Sequence, residues 1–312
     1  MHGWDGLCRP GSRRPRPLSW SRTVPRELVH RTSVAEVLLT DVRPQGPGRF
    51  LAAAQWPRSH PTFPHGGDDR HSPLMIAETL RQLGIYLPLR YYGVPPDAHL
   101  LITDLSFDLD PRAEPRAGHG ATEVTCLIEV GGVRPAGGAG TPSGLRLRTR
   151  LLAGGRPFAT AEGGARFLDA GQYTALRAAR ADRPTGPPGR TPPVRPEPGR
   201  LAVASPRDVV LALAGDQLLV DPADPRHPYY FDHDTDHVPG MALLEAARQA
   251  AALRSGGRLL RPTGCRLRAL RITEFRPPAP LECTVHHRSC VFRVRQGGAP
   301  TAVGVLRYAR TR

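Results

Sequence analysis

One pattern occurs twice in this chain, and that repeat limits the fold more than any other feature. Residues 71–82 read His71-Ser-Pro73-Leu-Met-Ile-Ala-Glu78-Thr-Leu-Arg81-Gln82, and residues 237–249 read His237-Val-Pro239-Gly240-Met-Ala-Leu-Leu-Glu245-Ala-Ala-Arg248-Gln249. In both, a histidine precedes a proline, the proline opens an apolar run, and a glutamate interrupts that run. Proline is favoured in the first turn of a helix, so the two copies predict helices starting near Pro73 and Pro239. Glu, Arg and Gln at i, i+3 and i+4 then share one face. A helix carboxylate beside an arginine usually sits in solvent and contributes little. Here it stands among Leu, Met, Ile and Ala, where burial is costly unless something uses the charge. Two diverged copies that keep the same spacing point to a shared constraint.

The echo extends past the helices. Ile102-Thr-Asp-Leu follows the first and Ile272-Thr-Glu-Phe the second, at nearly equal distances. Farther on, Arg150-Leu-Leu-Ala-Gly154-Gly155-Arg-Pro157 is matched by Arg295-Gln-Gly297-Gly298-Ala-Pro300, both reading as strand, Gly-Gly hairpin turn and strand. Each half is therefore expected to hold an opening strand, one central helix and several antiparallel strands. A long repeat present only twice is a duplicated domain and not a solenoid. The predicted division is a disordered Arg/Pro-rich tail over 1–24, a first domain over 25–175, a Pro/Gly-rich linker over 176–200 and a second domain over 201–312.

A chain of 312 residues is long enough for two domains with cores of their own. Its net charge of +15 suggests a polyanion partner, yet all 43 basic residues are arginine and the chain has no lysine or asparagine. That bias, with abundant Gly, Ala and Pro, reads as GC-rich coding pressure, so nucleic acid is not expected as the partner. An acidic protein suits the same surface. Five cysteines without framework spacing, no apolar leader and no membrane-length apolar run predict a reduced cytoplasmic protein.

Two clusters resemble metal sites. Cys283-x-x-His286-His287-x-x-Cys290 falls where the repeat calls for strands, and alternate strand residues face opposite ways, so its ligands do not converge. Asp232-His233-Asp234-Thr-Asp236-His237 precedes a helix start, where acidic residues serve as caps. No metal is expected at either. The chain also lacks a Gly-rich phosphate loop and a Gly-x-Ser-x-Gly elbow.

Phe231-Asp-His233 followed by Val238-Pro239-Gly240 through Glu245-Ala resembles the active-site stretch of hotdog-fold 3-hydroxyacyl-carrier-protein dehydratases. The shorter His to Pro-Gly spacing and the Arg-Gln after the glutamate match a narrower family, the A-factor biosynthesis (AfsA-type) γ-butyrolactone autoregulator synthases. Pro25-Arg-Glu-Leu-Val-His30-Arg-Thr-Ser-Val-Ala-Glu-Val37, Ala54-Gln-Trp-Pro57 and both helix motifs carry that resemblance over about residues 25 to 310.

The resemblance implies an α+β tandem (double) hotdog fold, each half a long central helix wrapped by an antiparallel β-sheet. It also implies an acyltransferase that moves a β-ketoacyl group from acyl carrier protein to dihydroxyacetone phosphate. No resident cofactor is implied, because the carrier delivers the acyl group on its phosphopantetheine. By motif position Glu245, Arg248 and Glu78 are expected to be essential. Glu245 is the expected general base, Arg248 the phosphate or oxyanion ligand, and Glu78 the mark of a second or supporting site. Gly240 is expected to let a thioester approach the helix N-terminus, whose free N–H groups suit an oxyanion. Arg81, Gln82 and His71 from the first copy, and His233, His237 and Gln249 from the second, are expected to border the substrate. A hotdog dehydratase, an acyl thioesterase and a non-catalytic butyrolactone-binding regulator are the competing readings. Only the synthase requires a phosphorylated acceptor.

Overall fold

A computed structural model describes residues 16–60, 62, 69–135, 140–181, 192–232 and 235–309. Four of its strands belong to two opening hairpins: β1 (Leu39–Pro44) with β2 (Arg49–Trp56), and β7 (Leu211–Ala214) with β8 (Gln217–Val220). Each hairpin leads to a long helix, α1 (Leu74–Tyr91) or α3 (Gly240–Arg254). After α1 come β3 (His99–Leu109), β4 (Thr122–Pro135), β5 (Pro142–Ala153) and β6 (Arg156–Leu168). After α3 come β9 (Pro262–Ala269), β10 (Ala279–Val285), β11 (Ser289–Gln296) and β12 (Ala299–Tyr308). Each half thus opens on two strands, where the sequence suggested one.

All twelve strands form one antiparallel sheet in the order β1-β2-β4-β5-β6-β3-β9-β12-β11-β10-β8-β7. With each strand replaced by its counterpart in the other half, that order reads the same from both ends. Two sheets have joined at their β3 and β9 edges, where Leu105 lies opposite Leu267 and Phe107 opposite Cys265. Joining removes two open edges that would otherwise invite wrong pairing. This is the tandem hotdog that the repeat and the resemblance imply.

Both helices pack against the sheet and are buried nearly all round, including Leu74–Leu80 of α1 and Met241–Ala252 of α3. A helix that is apolar on every side is stable only when covered, and here sheet and opening segment cover it. Pro73 and Pro239 occupy the N-cap positions, as their place in the repeat predicts. The Gly-Gly pairs also form the turns expected of them. Gly154, Gly155, Gly297 and Gly298 all have φ between 55° and 78°, the left-handed values that a tight hairpin of this hand requires.

Three expectations need correction. Ile102 lies inside β3, whereas Ile272 lies beyond the end of β9, so the two Ile-Thr segments are not counterparts. The expected linker begins inside a helix: α2 spans Ala170–Ala181. Asp169 and Gln172 cap that helix reciprocally, with Gln172 N donating to Asp169 Oδ1 at 2.7 Å and Asp169 N to Gln172 Oε1 at 3.2 Å. Beyond it, Val194 bridges to Leu213 and Pro198–Leu201 forms a 3-10 turn. The end of the expected tail is also ordered, since Val24 is buried and donates its N–H to Leu39 O at 2.9 Å. Residues 1–15 and 182–191 lie outside the described residues. Cys283 and Cys290 stand on the neighbouring strands β10 and β11, as the repeat predicts, but their sulfurs converge to 3.1 Å where strand alternation was expected to keep them apart, because diagonal residues of paired strands share a face. No helix among the described residues is long and apolar enough to cross a membrane.

Candidate active site

The Glu-Arg-Gln triads form the same polar latch in both halves. On α1, Gln82 Nε2 donates to Glu36 O at 2.8 Å and to Glu78 Oε1 at 2.7 Å, while Gln82 Oε1 accepts from Leu38 N at 2.9 Å. On α3, Gln249 Nε2 donates to Asp208 O at 2.8 Å and to Glu245 Oε1 at 2.8 Å, while its Oε1 accepts from Val210 N at 3.0 Å. Arg81 Nε and Arg248 Nε each reach their glutamate at 2.8 Å. Their Nη2 atoms donate to Val29 O at 3.2 Å and to Leu201 O at 3.1 Å. A second pair follows the same symmetry: His60 to Glu36 and His227 to Asp208, both 2.9 Å. In each half the triad clamps the central helix to the 3-10 segment before the opening hairpin. The orphan backbone groups of that irregular segment are satisfied by side chains, as burial demands.

Among the described residues, only the first latch reaches the other half. Arg31 Nη2 donates to Glu78 Oε1 at 2.9 Å, and its Nη1 to Tyr229 O at 2.6 Å. The Tyr229 hydroxyl donates to Glu78 Oε2 at 3.1 Å. Glu78 is wholly buried; burial alone would raise its pKa, but Arg31 and Arg81 outweigh it and hold the carboxyl well below the usual range. A pKa raised towards neutrality, as a general base requires, is the reverse of what this site produces. Burial would lower the Arg248 pKa, yet the carboxylate of Glu245 keeps that guanidinium firmly charged.

A cavity of about 280 Å³ opens beside the start of α3. Leu80, Ile85, Leu145, Leu147 and Leu243 supply apolar wall, and the N-terminal residues of α3, Gly240 and Met241, border it. Arg81 and His30 reach it from the first half and His237 from the second. Both Ile102 and Ile272 line it, although they are not counterparts. The first N–H groups of α3 have no intrahelical acceptor. A side chain at 240 would lie only 3.6 Å from the Ile102 Cδ1 atom, so glycine keeps this approach to the backbone open.

Of the residues expected at the site, Arg81, Gly240 and His237 therefore meet at one cavity. Glu78 touches that cavity only through its ion pair with Arg81. Glu245, Arg248, Gln82 and Gln249 do not border it, because their helix face turns towards the 3-10 segment. Glu245 and Arg248, the expected reacting pair, lie off this cavity, each buried and bound to the other. His71 is also away from the cavity; it is 2% exposed, its Nε2 lies 2.7 Å from Thr122 Oγ1, and its ring meets Trp56 edge-on. His233 falls outside the described residues.

Several residues were not anticipated. Arg31 and Tyr229 complete the buried charge network, but nothing local in the sequence links positions so far apart. Tyr173 and Arg177 hold Asp236, which bonds His237 instead of capping α3 as expected, and the Asp169/Gln172 cap was the available signal for the helix that carries the first two. His30 sits at φ 50°, and burial, then Arg81, push its pKa down to about 4.

The family model described as the A-factor biosynthesis hotdog domain, AfsA, matches residues 13–169 and 214–310. A Streptomyces virginiae protein named 2-oxo-3-(phosphooxy)propyl 3-oxoalkanoate synthase is 39% identical over 268 residues, covering 82% of this chain and 85% of its own. A protein of the same name from Streptomyces coelicolor is 35% identical, covering 84% of this chain and 82% of its own. Among solved structures, the dehydratase domain of PpsC from Mycobacterium tuberculosis, in complex with C12:1-CoA, aligns with a TM-score of 0.48 at 16% identity. It covers 87% of this chain and 97% of that one.

Proposed function

The chain belongs to the A-factor biosynthesis (AfsA) hotdog family, and from that premise we propose that it is an acyltransferase of γ-butyrolactone signal biosynthesis. It transfers a 3-oxoacyl group from an acyl carrier protein thioester to the hydroxyl of dihydroxyacetone phosphate. The observation that carries this reading is the 34–39% identity, over more than four fifths of the chain, to proteins named for the ester of those two parts. The cavity supports it. Leucines form a wall for the acyl chain, and the α3 N-terminus offers N–H groups and a positive dipole end to the thioester oxygen. Arg81, held in place by Glu78 and the Val29 carbonyl, presents a fixed positive charge to the phosphorylated acceptor or the developing oxyanion.

In this reading the latch residues position and the cavity residues react. Glu78 orients Arg81, while Glu245, Arg248 and Gln249 hold the helix whose N-terminus receives the thioester. The donor brings its own phosphopantetheine arm, and the arginine-rich surface suits an acidic carrier. Incubating the protein with a 3-oxoacyl thioester, with and without dihydroxyacetone phosphate, tests the proposal by mass spectrometry. The expected result is the phosphorylated ester in the first case only. Free acid formed equally in both would make it a thioesterase, and loss of water from a 3-hydroxyacyl thioester would make it a dehydratase.

A further inference from the structure

The proposed transfer needs a base at the acceptor hydroxyl, and neither helix glutamate is free to serve. Both carboxylates are buried and bound by guanidinium groups. His30 borders the cavity, but with a pKa near 4 it is too weak a base to hold a proton near neutral pH. We infer that His237 is the general base of the transfer, that Asp236 orients it, and that α2 is the strap that fixes the pair at the cavity mouth. This inference rests on the acyl-transfer reading above.

The geometry is that of a base with its orienting carboxylate. His237 Nδ1 lies 2.8 Å from Asp236 Oδ1, which leaves the second ring nitrogen, Nε2, without a partner among the described residues. His237 lines the cavity two residues before Pro239, the N-cap of α3, and its side chain remains 26% exposed. Asp236 is held in turn by two residues of α2. The Tyr173 hydroxyl donates to Asp236 Oδ1 at 2.6 Å, and Arg177 Nε lies 3.3 Å from Asp236 Oδ2. Arg177 also forks onto Glu274 at 2.6 and 3.0 Å, in the loop after β9 that borders the cavity. Tyr173 is fixed by His99, stacked on it with ring centroids 3.8 Å apart. Leu176, on the same face of α2, lines the cavity itself. So many contacts on one half-exposed carboxylate make sense if its orientation matters.

The other copy supplies a control. His71 occupies the position of His237 but is buried against Trp56 and Thr122. Leu74 occupies that of Gly240 and is 1% exposed. Arg261 of the second half closes over this start, bonded to the His71 carbonyl at 2.8 Å and paired with Glu114. One helix start is therefore built for access and the other is packed shut.

The step balances without a further reactant. The acceptor hydroxyl gives its proton to His237 Nε2 as its oxygen bonds to the thioester carbonyl carbon. The tetrahedral adduct then collapses with cleavage of the C–S bond, and the imidazolium returns the proton to the departing thiolate. Ester and free thiol result.

The test uses the full chain, a 3-oxoacyl pantetheine thioester and dihydroxyacetone phosphate, with wild type run alongside His237→Ala, Asp236→Asn and Tyr173→Phe. His237→Ala is expected to lose at least ~10²-fold in kcat, the usual contribution of a general base, and to regain part of it when free imidazole is added. Asp236→Asn and Tyr173→Phe are expected to lower kcat by ~10-fold while KM for the acceptor stays within about threefold, as positioning through His237 implies. Melting midpoints of the His237 and Asp236 variants should be unchanged, since both side chains are partly exposed, and Tyr173→Phe keeps the buried ring that stacks on His99. Activity of His237→Ala within threefold of wild type, or a loss that imidazole cannot restore, overturns the assignment alone. Wild type that makes no ester overturns the acyl-transfer reading and this inference with it.

Discussion

At the scale of single residues, burial and charge separate the two helix glutamates from the chemistry. Glu78 accepts from Arg31, Arg81, Gln82 and Tyr229, and the side chain of Arg31 is only 3% exposed. Glu78→Gln would remove the nearer counterion of that buried guanidinium and leave it only Asp232, 3.6 Å from its Nη1 atom. Breaking such a pair costs on the order of 3–5 kcal/mol, so urea unfolding should show a loss of that size. Glu245→Gln should also lower the unfolding midpoint along with activity. If activity fell at an unchanged midpoint, Glu245 would return to the list of reacting groups. His30 adds a dependence on pH. Its folded pKa of about 4 lies below the ordinary 6.5, so as pH falls the unfolded chain takes up the proton first. Stability is therefore full above about 6.5 and is lost towards 4, by at most on the order of 3 kcal/mol. Glu78, also depressed, adds its loss at lower pH still. His30→Asn tolerates the left-handed backbone and should flatten the stability curve between those two values only.

At the scale of elements, the two helix starts differ in one residue that matters. Gly240 does not adopt a left-handed backbone, and a Cβ there would meet only Ile102 Cδ1 at van der Waals distance. Gly240→Ala should therefore be folded and as stable as wild type or better, by up to ~1 kcal/mol from helix propensity. Its kcat with the thioester should nevertheless fall by ~10-fold or more, because the methyl group occupies the approach to the free N–H groups. A variant that is more stable and fully active would remove the α3 N-terminus from the mechanism. The strap α2 belongs to this scale as well. Its reciprocal cap was visible in Asp169-Ala-Gly-Gln172, but the proline-rich stretch beyond Ala181 drew the expected linker boundary too early.

At the scale of the molecule, the halves are one folding unit. β3 and β9 share a ladder, Arg31 reaches Tyr229 across the seam, and Thr32 N donates to Asp232 Oδ2 at 3.0 Å. Cleavage at a protease site inserted within residues 182–191 should therefore give two fragments that still elute together in size exclusion. They should separate only in denaturant, with one shared unfolding transition. Fragments that part under native conditions would show that the seam contributes little.

Much of this was legible in the residues themselves. Pro73 and Pro239 mark the helix starts, and paired glycines at 154–155 and 297–298 mark hairpins, because each signal acts through its own backbone or nearest neighbours. The repeat further required two equivalent halves, and the spacing of Glu, Arg and Gln required a common face. The direction of that face was a matter for tertiary structure. A helix buried on nearly every side has no polar stripe to show which side meets the sheet, which the opening segment and which the cavity. The same holds for Asp236 and Tyr173, or Arg31 and Glu78: their contacts join positions 47 or more residues apart, and only packing brings them together.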